Sequence, residues 1–331
     1  MRSSCSTTSS MTSNCASSRR CENSRCRRFS EIADEMTDSA HPLRIKAPAK
    51  INLFLHIIGK RADGYHELVT LMQKLDLSDE LRLTIRDTPG ISCSCDNPAV
   101  PTDDGNSAVQ AAYAFYNAFA GRGRFGVHIR ISKKIPVAAG LGGGSSDAGA
   151  VLRGLNILHG RPFTTQTLIE LARPLGADVA FFADDHSTVL AMGIGDILEP
   201  CPPVEEYLFV LVNPGFPVAT SWVYENYPLT FQTRNFNLPS FRKLPAGSFD
   251  PAWLDNDLER VTLKHYPQIQ RIKDVLDGHG AAGSLMSGSG PTVFGLFRER
   301  RHAEHAVRVM ERIGKIDGKY PLFAVIACAG A

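Results

Sequence analysis

The stretch IPVAAGLGGGSSDAGAVLRGLN, Ile135 to Asn156, constrains this chain more than any other. Gly140, Gly142, Gly143 and Gly144 fall within five positions, followed by Ser145, Ser146, Asp147 and then a helical pattern. Glycine gives up more backbone entropy on folding than any other residue, so such a run ahead of a helix marks a backbone that something approaches closely. A helix N-terminus carries unpaired N–H groups and about half a positive charge, which suits a phosphate. Ser145 and Ser146 add hydroxyls for phosphates or their metal, and one of them can cap the helix. The loop reads as a polyphosphate cradle; a flexible loop that only caps a helix is the competing reading.

Known phosphate and nucleophile motifs do not match it. G-x-x-x-x-G-K-[ST] is absent, because Gly59-Lys60, Gly314-Lys315 and Gly318-Lys319 are not followed by Ser or Thr. G-x-G-x-x-G fails because Ser145 stands where the third glycine belongs. G-x-S-x-G fails because Gly144-Ser145-Ser146-Asp147 is followed by Ala148.

The flanking sequence predicts a mixed fold. From Arg44 to Ile58, Ile45, Ala47, Ala49, Ile51, Leu53, Leu55 and Ile57 alternate with Arg44, Lys46, Lys50, Asn52 and His56. That is a strand with one buried side, with a bulge or edge position at Pro48. Lys50 and Asn52 then share a face about 6–7 Å apart. After the Asp63-Gly64 turn, "YHELVTLMQKLDL" and "DELRLTIR" follow, the second alternating through Leu81, Leu83 and Ile85. Asn106–Phe119 predicts a helix. Arg124–Pro136 predicts a strand with Val127, Ile129 and Ile131 inward, and a second helix starts at Ser146. Thr165–Ala172 predicts a helix broken at Pro174. Tyr207–Gly215 predicts a strand, and Gly280–Phe297 a glycine- and serine-rich loop with a strand after it. Arg301–Ile313 predicts a helix with Ala306, Val309, Met310 and Ile313 on one face, before a closing strand in "LFAVIACAG". Strands and helices without strict βαβ alternation give an α+β fold in two lobes.

Composition excludes several classes. A formal charge of +2 over 331 residues argues against a broad nucleic-acid footprint. No apolar run approaches the roughly 20 residues needed to span a bilayer. Met1–Ala40 is a separate material, crowded with Ser, Thr, Arg and Cys. It reads as disorder, as a transit peptide (against which Glu22, Glu31, Asp34, Glu35 and Asp38 count), or as a tail ahead of a true start at Met36. Cys5, Cys15, Cys21 and Cys26 form no Cys-x-x-Cys pair and have no histidine among them, so no metal site is expected. Cys93, Cys95, Cys201 and Cys328 are scattered thiols, as in a reducing, cytoplasmic compartment.

"PVAAGLGGGSSDAGA" resembles the phosphate loop of the GHMP kinases, the galactokinase, homoserine, mevalonate and phosphomevalonate kinase superfamily. "APAKINLFLHI" and "LMSGSGPTVFGLF" resemble its first motif and its C-terminal glycine loop, in the expected order. "APAKINLFLHIIGKRADGYHELVTLMQ" with "LGADVAFF" resembles the branch acting on a cytidine-diphosphate-linked methylerythritol. The resemblance implies a two-lobed GHMP kinase fold: a ribosomal-protein-S5-like N-terminal domain over 43–200 and a ferredoxin-like C-terminal domain over 201–331, behind a tail at 1–42. It implies a small-molecule kinase that phosphorylates an alcohol with ATP and Mg2+ in isoprenoid biosynthesis, as a monomer or homodimer with no nucleic-acid or membrane partner.

Carried over by motif, Asp178 is the catalytic aspartate and Lys50 the lysine beside it. Taken alone, Asp178 reads as a turn or cap residue and Lys50 as a solvated lysine. Pro136, Val137, Ala138, Ala139, Gly140, Leu141, Gly142, Gly143, Gly144, Ser145 and Ser146 match the ATP loop, with Asn106 and Lys133 near adenine and ribose. His66 matches the cytosine contact, with Tyr65 and Tyr224 stacking on the base and Asn52 and Thr220 on the polyol or diphosphate. Met192–Pro200 is expected as a hairpin behind the Asp178 loop. Asp184-Asp185 reads as a solvated turn, no dedicated metal ligand is named, and Ser146 is a candidate for Mg2+. The family usually has proline after "GADV"; Ala180 stands there, which changes loop stiffness and no reacting group.

Overall fold

Alternation from Ile45 to Ile57 builds the strand at the centre of the molecule. The computed structural model describes residues 42–119, 126–228 and 249–330; the expectations for the first forty residues, and for Arg124, lie outside them. The elements run β1 (Leu43–Lys60), β2 (His66–Arg86), β3 (Gly90–Cys95), α1 (Ser107–Ala118), β4 (Gly126–Ser132), α2 (Gly143–Leu158), α3 (Thr165–Ala172) and α4 (Ala177–Ala183). Then come β5 (Thr188–Met192), β6 (Ile197–Pro200), β7 (Leu208–Asn213), α5 (Thr220–Glu225), β8 (Asp255–Asn256), α6 (Glu259–His265) and α7 (Gln268–Gly278). The chain closes through β9 (Ser284–Met286), β10 (Val293–Phe297), α8 (Arg300–Ile313), β11 (Lys315–Ile316), β12 (Tyr320–Pro321) and β13 (Phe323–Ala327).

The first sheet has the order β3-β4-β2-β1-β8, with β5 on β2 and β6 on β5. β8, from beyond residue 200, pairs with β1 in parallel at Phe54 and Leu55. The second sheet runs β13-β7-β10-β9 and is antiparallel throughout. Helices α1 to α4 pack on one face of the first sheet around Leu81, Leu83, Phe115, Val127, Ile129, Ile131 and Leu155. A second apolar cluster joins Ile51, Leu53 and Phe54 of β1 to Phe209, Phe294 and Leu296 of the other sheet.

β1 departs from the expected one-sided strand and is buried on both faces from Ala49 to Ile57: that cluster covers the apolar face, while Gly142, Gly288 and the β8 segment lie against the polar one. Lys50, Asn52 and His56 therefore form a buried polar face, not a solvated one. The register shifts between Pro48 and Lys50, as a proline without an N–H requires. β2 is one strand across the polar Asp76-Leu77-Ser78-Asp79 stretch, because Asp79 is buried and accepts from Lys133 Nζ at 2.5 Å and the Ile135 amide at 2.9 Å. α4 was not expected as a helix. Its amide at Ala180 donates to Gly176 O at 3.4 Å, a bond proline could not make, so Ala180 restores a helical bond instead of altering a loop. α8 buries Ala303, Ala306 and Met310, while Ile313 is exposed at the last turn.

Candidate active site

The helix after the glycine run starts earlier than its apolar period indicates. Gly142 is its N-cap at φ 70°, and Gly143, Gly144 and Ser145 form the first turn. Their amides are the donors a helix leaves unpaired, whereas the Ser146 amide already bonds Gly142 O at 2.8 Å. Neither serine caps the helix; no side chain does. Gly140 has φ 78°, and a Cβ there would lie 2.4 Å from the Ser287 carbonyl. A Cβ on Gly142 would lie 2.9 Å from the Phe182 ring and 3.1 Å from Lys50 Cγ. Both glycines are thus demanded by left-handed backbone and close packing together.

The C-terminal glycine loop completes the same wall. Ser287 Oγ donates to Gly140 O at 2.9 Å, and the Thr292 amide donates to Ala139 O at 3.2 Å. Asn256 of β8 holds this loop from behind, with Nδ2 donating to Met286 O and Gly288 O, each at 2.8 Å.

Beside the loops, Lys50 Nζ lies 3.4 Å from Asp178 Oδ2 and donates to Asn52 Oδ1 at 2.7 Å. Asn52 Nδ2 donates to Thr70 Oγ1 at 2.8 Å, and Thr70 Oγ1 to Phe54 O at 2.6 Å, so the buried face of β1 orients the lysine. Lys50 is buried and Asp178 is about one-third exposed, which leaves the carboxylate reachable. Asp178 lies in the first turn of α4, where a carboxylate is favoured by the helix dipole. The β5–β6 hairpin supports this turn: a Cβ on Gly195 would lie 3.3 Å from Ala177 Cβ.

At the other end, the rings of His66 and Tyr224 lie 5.4 Å apart at 37°, with Tyr227 edge-on to His66 at 6.2 Å. Burial, with a smaller contribution from Lys60, holds the His66 imidazole below its usual pKa, so it is neutral. Its Nε2 is buried without a hydrogen-bond partner among the described residues. Burial and then the Asp178 charge push the Tyr224 phenol up. Tyr65 is 63% exposed. Thr220 Oγ1 and Ser289 Oγ lie 2.8 Å apart.

One cleft of about 980 Å³ gathers these residues. Lys50, Asn52, Tyr65, His66, Asn106, Lys133, Asp178, Thr220 and Tyr224 line it, with the loop residues Pro136 to Gly140 and Gly142 to Ser145. Leu141 and Ser146 are turned into the protein instead. Gly288 and Ser289 line the cleft too; the "SGSG" run signalled a loop, but nothing local tied these two residues to the site. Asn106 caps α1, accepting from the Ala108 amide at 2.8 Å and donating to Pro101 O at 2.6 Å. Lys133 bridges Asp79 at 2.5 Å and Asp147 at 2.8 Å; burial opposes its charge, but the two carboxylates outweigh it and raise its pKa. Asp184 is buried, not solvated, and its carboxylate pairs with His186 at 2.9 Å. Among the described residues no cluster of three His, Cys, Asp or Glu side chains could hold a metal.

The GHMP kinase N-terminal domain family matches residues 106–185, and the GHMP kinase C-terminal family matches 238–316. The 4-diphosphocytidyl-2-C-methyl-D-erythritol kinase of Desulfotalea psychrophila is 46% identical over 265 residues, covering 80% of this chain and 88% of the relative. That of Geobacter metallireducens is 47% identical over 266 residues, covering 80% and 93%. A crystal structure of a 4-(cytidine 5'-diphospho)-2C-methyl-D-erythritol kinase superposes with a TM-score of 0.71 at 33% identity, covering 87% of this chain and 100% of the other. A homoserine kinase from Cytophaga hutchinsonii, at 18% identity and TM-score 0.68, shares the fold. With this identity over four-fifths of its length, the chain belongs to the 4-diphosphocytidyl-2-C-methyl-D-erythritol kinase family of the GHMP kinases.

Proposed function

We propose that this chain transfers the γ-phosphoryl group of ATP to the 2-hydroxyl of 4-diphosphocytidyl-2-C-methyl-D-erythritol, in isoprenoid precursor biosynthesis by the methylerythritol phosphate pathway. The observation that carries the reading is a run of neighbours through one cleft. Gly142 abuts Lys50, Lys50 pairs with Asp178, and Tyr224, which lines the same cleft as Asp178, faces His66. A phosphate cradle and a base-sized aromatic recess therefore meet at one lysine–carboxylate pair.

The alcohol is tertiary and a poor nucleophile, so a proton acceptor is needed as it attacks. Asp178 takes that proton while the hydroxyl oxygen bonds to the γ-phosphorus, the bridging P–O bond breaks and ADP leaves. Lys50, held by Asn52, keeps the carboxylate oriented and offsets charge on the transferred group. The amides of Gly143, Gly144 and Ser145 bind phosphate oxygens. His66 Nε2, otherwise unpartnered, hydrogen-bonds the cytosine edge, and Tyr224 and Tyr65 present flat faces to the ring. Thr220, Asn52 and Ser289 are assigned to the diphosphate and polyol, and Asn106 and Lys133 to the nucleoside end of ATP.

Mg2+ entering with ATP neutralises charge on the phosphates when bound. Asp147 lines the cleft at the head of α2, and its Oδ1 has no hydrogen-bond partner among the described residues; it would be the hard donor to such an ion, which would keep waters and phosphate oxygens as its other ligands, whereas Ser146, turned into the protein, would not reach it. We assign the chain to the cytoplasm as a monomer or homodimer, with lobes at 43–200 and 201–331. The free thiols Cys93, Cys95, Cys201 and Cys328 support a reducing compartment. Among the described residues no helix is long and apolar enough to cross a membrane.

The test is ATP consumption with the cytidyl substrate beside homoserine and mevalonate. Turnover with the cytidyl compound alone is expected; turnover with either of the others instead would remove the role given to His66 and Tyr224.

A further inference from the structure

Asp178 is presented by α4, a helix of only seven residues, which is too short to persist without tertiary contacts; Val179 to Ala183 are packed inside, and Asp178 stands at its exposed start. Its N-terminal end is held by Lys50, through Asp178. The residue paired with Lys50 across the β1–β2 ladder is Lys74. Lys74 is 5% exposed, and its Nζ donates to the backbone carbonyl of Asp184, the C-cap of α4, at 2.7 Å. The same ammonium stands 4.8 Å above the ring of Phe181, in the last turn of α4. Two lysines opposite one another on neighbouring strands thus grip the two ends of one helix, about 10 Å apart at 1.5 Å per residue.

We propose that Lys74 is a positioning residue for Asp178, fixing α4 from its C-terminal end so that the carboxylate stays against Lys50. A cation suits that end, because the last carbonyls of a helix carry partial negative charge and an aromatic face attracts an ammonium. Lys74 does not line the cleft, so its side chain acts through α4.

The grip is sensitive to pH. Burial pulls Lys74 down to about 7, assisted by Arg153 of α2 and opposed by Asp184 and Asp185; His186, against Asp184, is the other titratable neighbour. Below that value Lys74 is a cation and holds the carbonyl and ring most strongly; above it the charge is lost. Arginine keeps its charge throughout.

The inference rests on Asp178 being the proton acceptor. The test compares kcat across pH for the full chain, Lys74→Arg and Lys74→Met, with ATP and the cytidyl substrate saturating. Lys74→Met is expected to lose about tenfold in kcat at about pH 6.5 with KM for ATP within about twofold, and Lys74→Arg to recover most of that loss. Between about pH 6.5 and 8.5, wild-type kcat should fall at least about threefold relative to Lys74→Arg. Superimposable wild-type and Lys74→Arg profiles overturn the proposal, as does a folded Lys74→Met within twofold of wild type. If Lys74→Met does not fold, the arginine comparison decides alone. These outcomes are read beside Asp178→Asn: an active Asp178→Asn refutes the base assignment, whereas an inactive one with flat Lys74 profiles refutes only this inference.

Discussion

Ser287 donates its hydroxyl to the carbonyl of Gly140 at 2.9 Å, joining two glycine loops that lie 147 residues apart in the chain. This wall of the cleft is therefore built by both halves of the sequence, and its integrity depends on how closely the loops approach.

Gly140→Ala tests that approach. The new methyl would meet the Ser287 carbonyl at 2.4 Å, on a backbone already at φ 78°. Strain of this kind costs on the order of 1–3 kcal/mol, and the clash adds to it. The expected result is a clear drop in the urea midpoint and a raised KM for ATP. Gly144→Ala, where a Cβ meets nothing within 4 Å, should fold normally.

Burial favours the neutral form of His66, and its Nε2 has no hydrogen-bond partner among the described residues. His66→Leu keeps the bulk and removes the hydrogen bond, so KM for the cytidyl substrate should rise by about one to two orders of magnitude with KM for ATP unchanged. Because burial lowers the histidine pKa from 6.5, wild-type KM for the cytidyl substrate should stay level as pH falls from about 7.5 to 6.5. Steady-state kinetics at three pH values measure both.

His159 makes stability, not catalysis, depend on pH. It stacks on Phe115 and lies 4.7 Å from the Phe119 ring, and burial pulls its pKa down to about 4 from 6.5. The unfolded chain binds this proton near pH 6.5 and the folded chain only near 4. Stability from His159 is thus complete above 6.5 and declines as pH falls toward 4, by on the order of 2 kcal/mol. The melting temperature of wild type should drop through that window more than that of His159→Leu.

Local signals carried far into the fold. Asn106 is the N-cap of α1, and Val127, Ile129 and Ile131 are all buried on β4, because caps and period-2 alternation are written in adjacent residues. The shared face of Lys50 and Asn52 follows from the same period and is realised as a 2.7 Å hydrogen bond. What local pattern cannot express is the covering of one element by a distant one. The polar face of β1 looked solvated because the loops that cover it, at Gly142 and Gly288, are distant in sequence. The burial of Asp79 was not legible locally because its partners lie 54 to 56 residues away. α4 is too short to display a helical period, and the glycines at its start hid the true beginning of α2.

The most direct measurement is single-turnover phosphoryl transfer by Asp178→Asn with ATP affinity measured in parallel. The variant should bind ATP as wild type does and lose at least about three orders of magnitude in turnover, since only the proton acceptor changes. Turnover within tenfold of wild type would contradict the account, because the Lys50–Asp178 pair would then not be where the hydroxyl loses its proton.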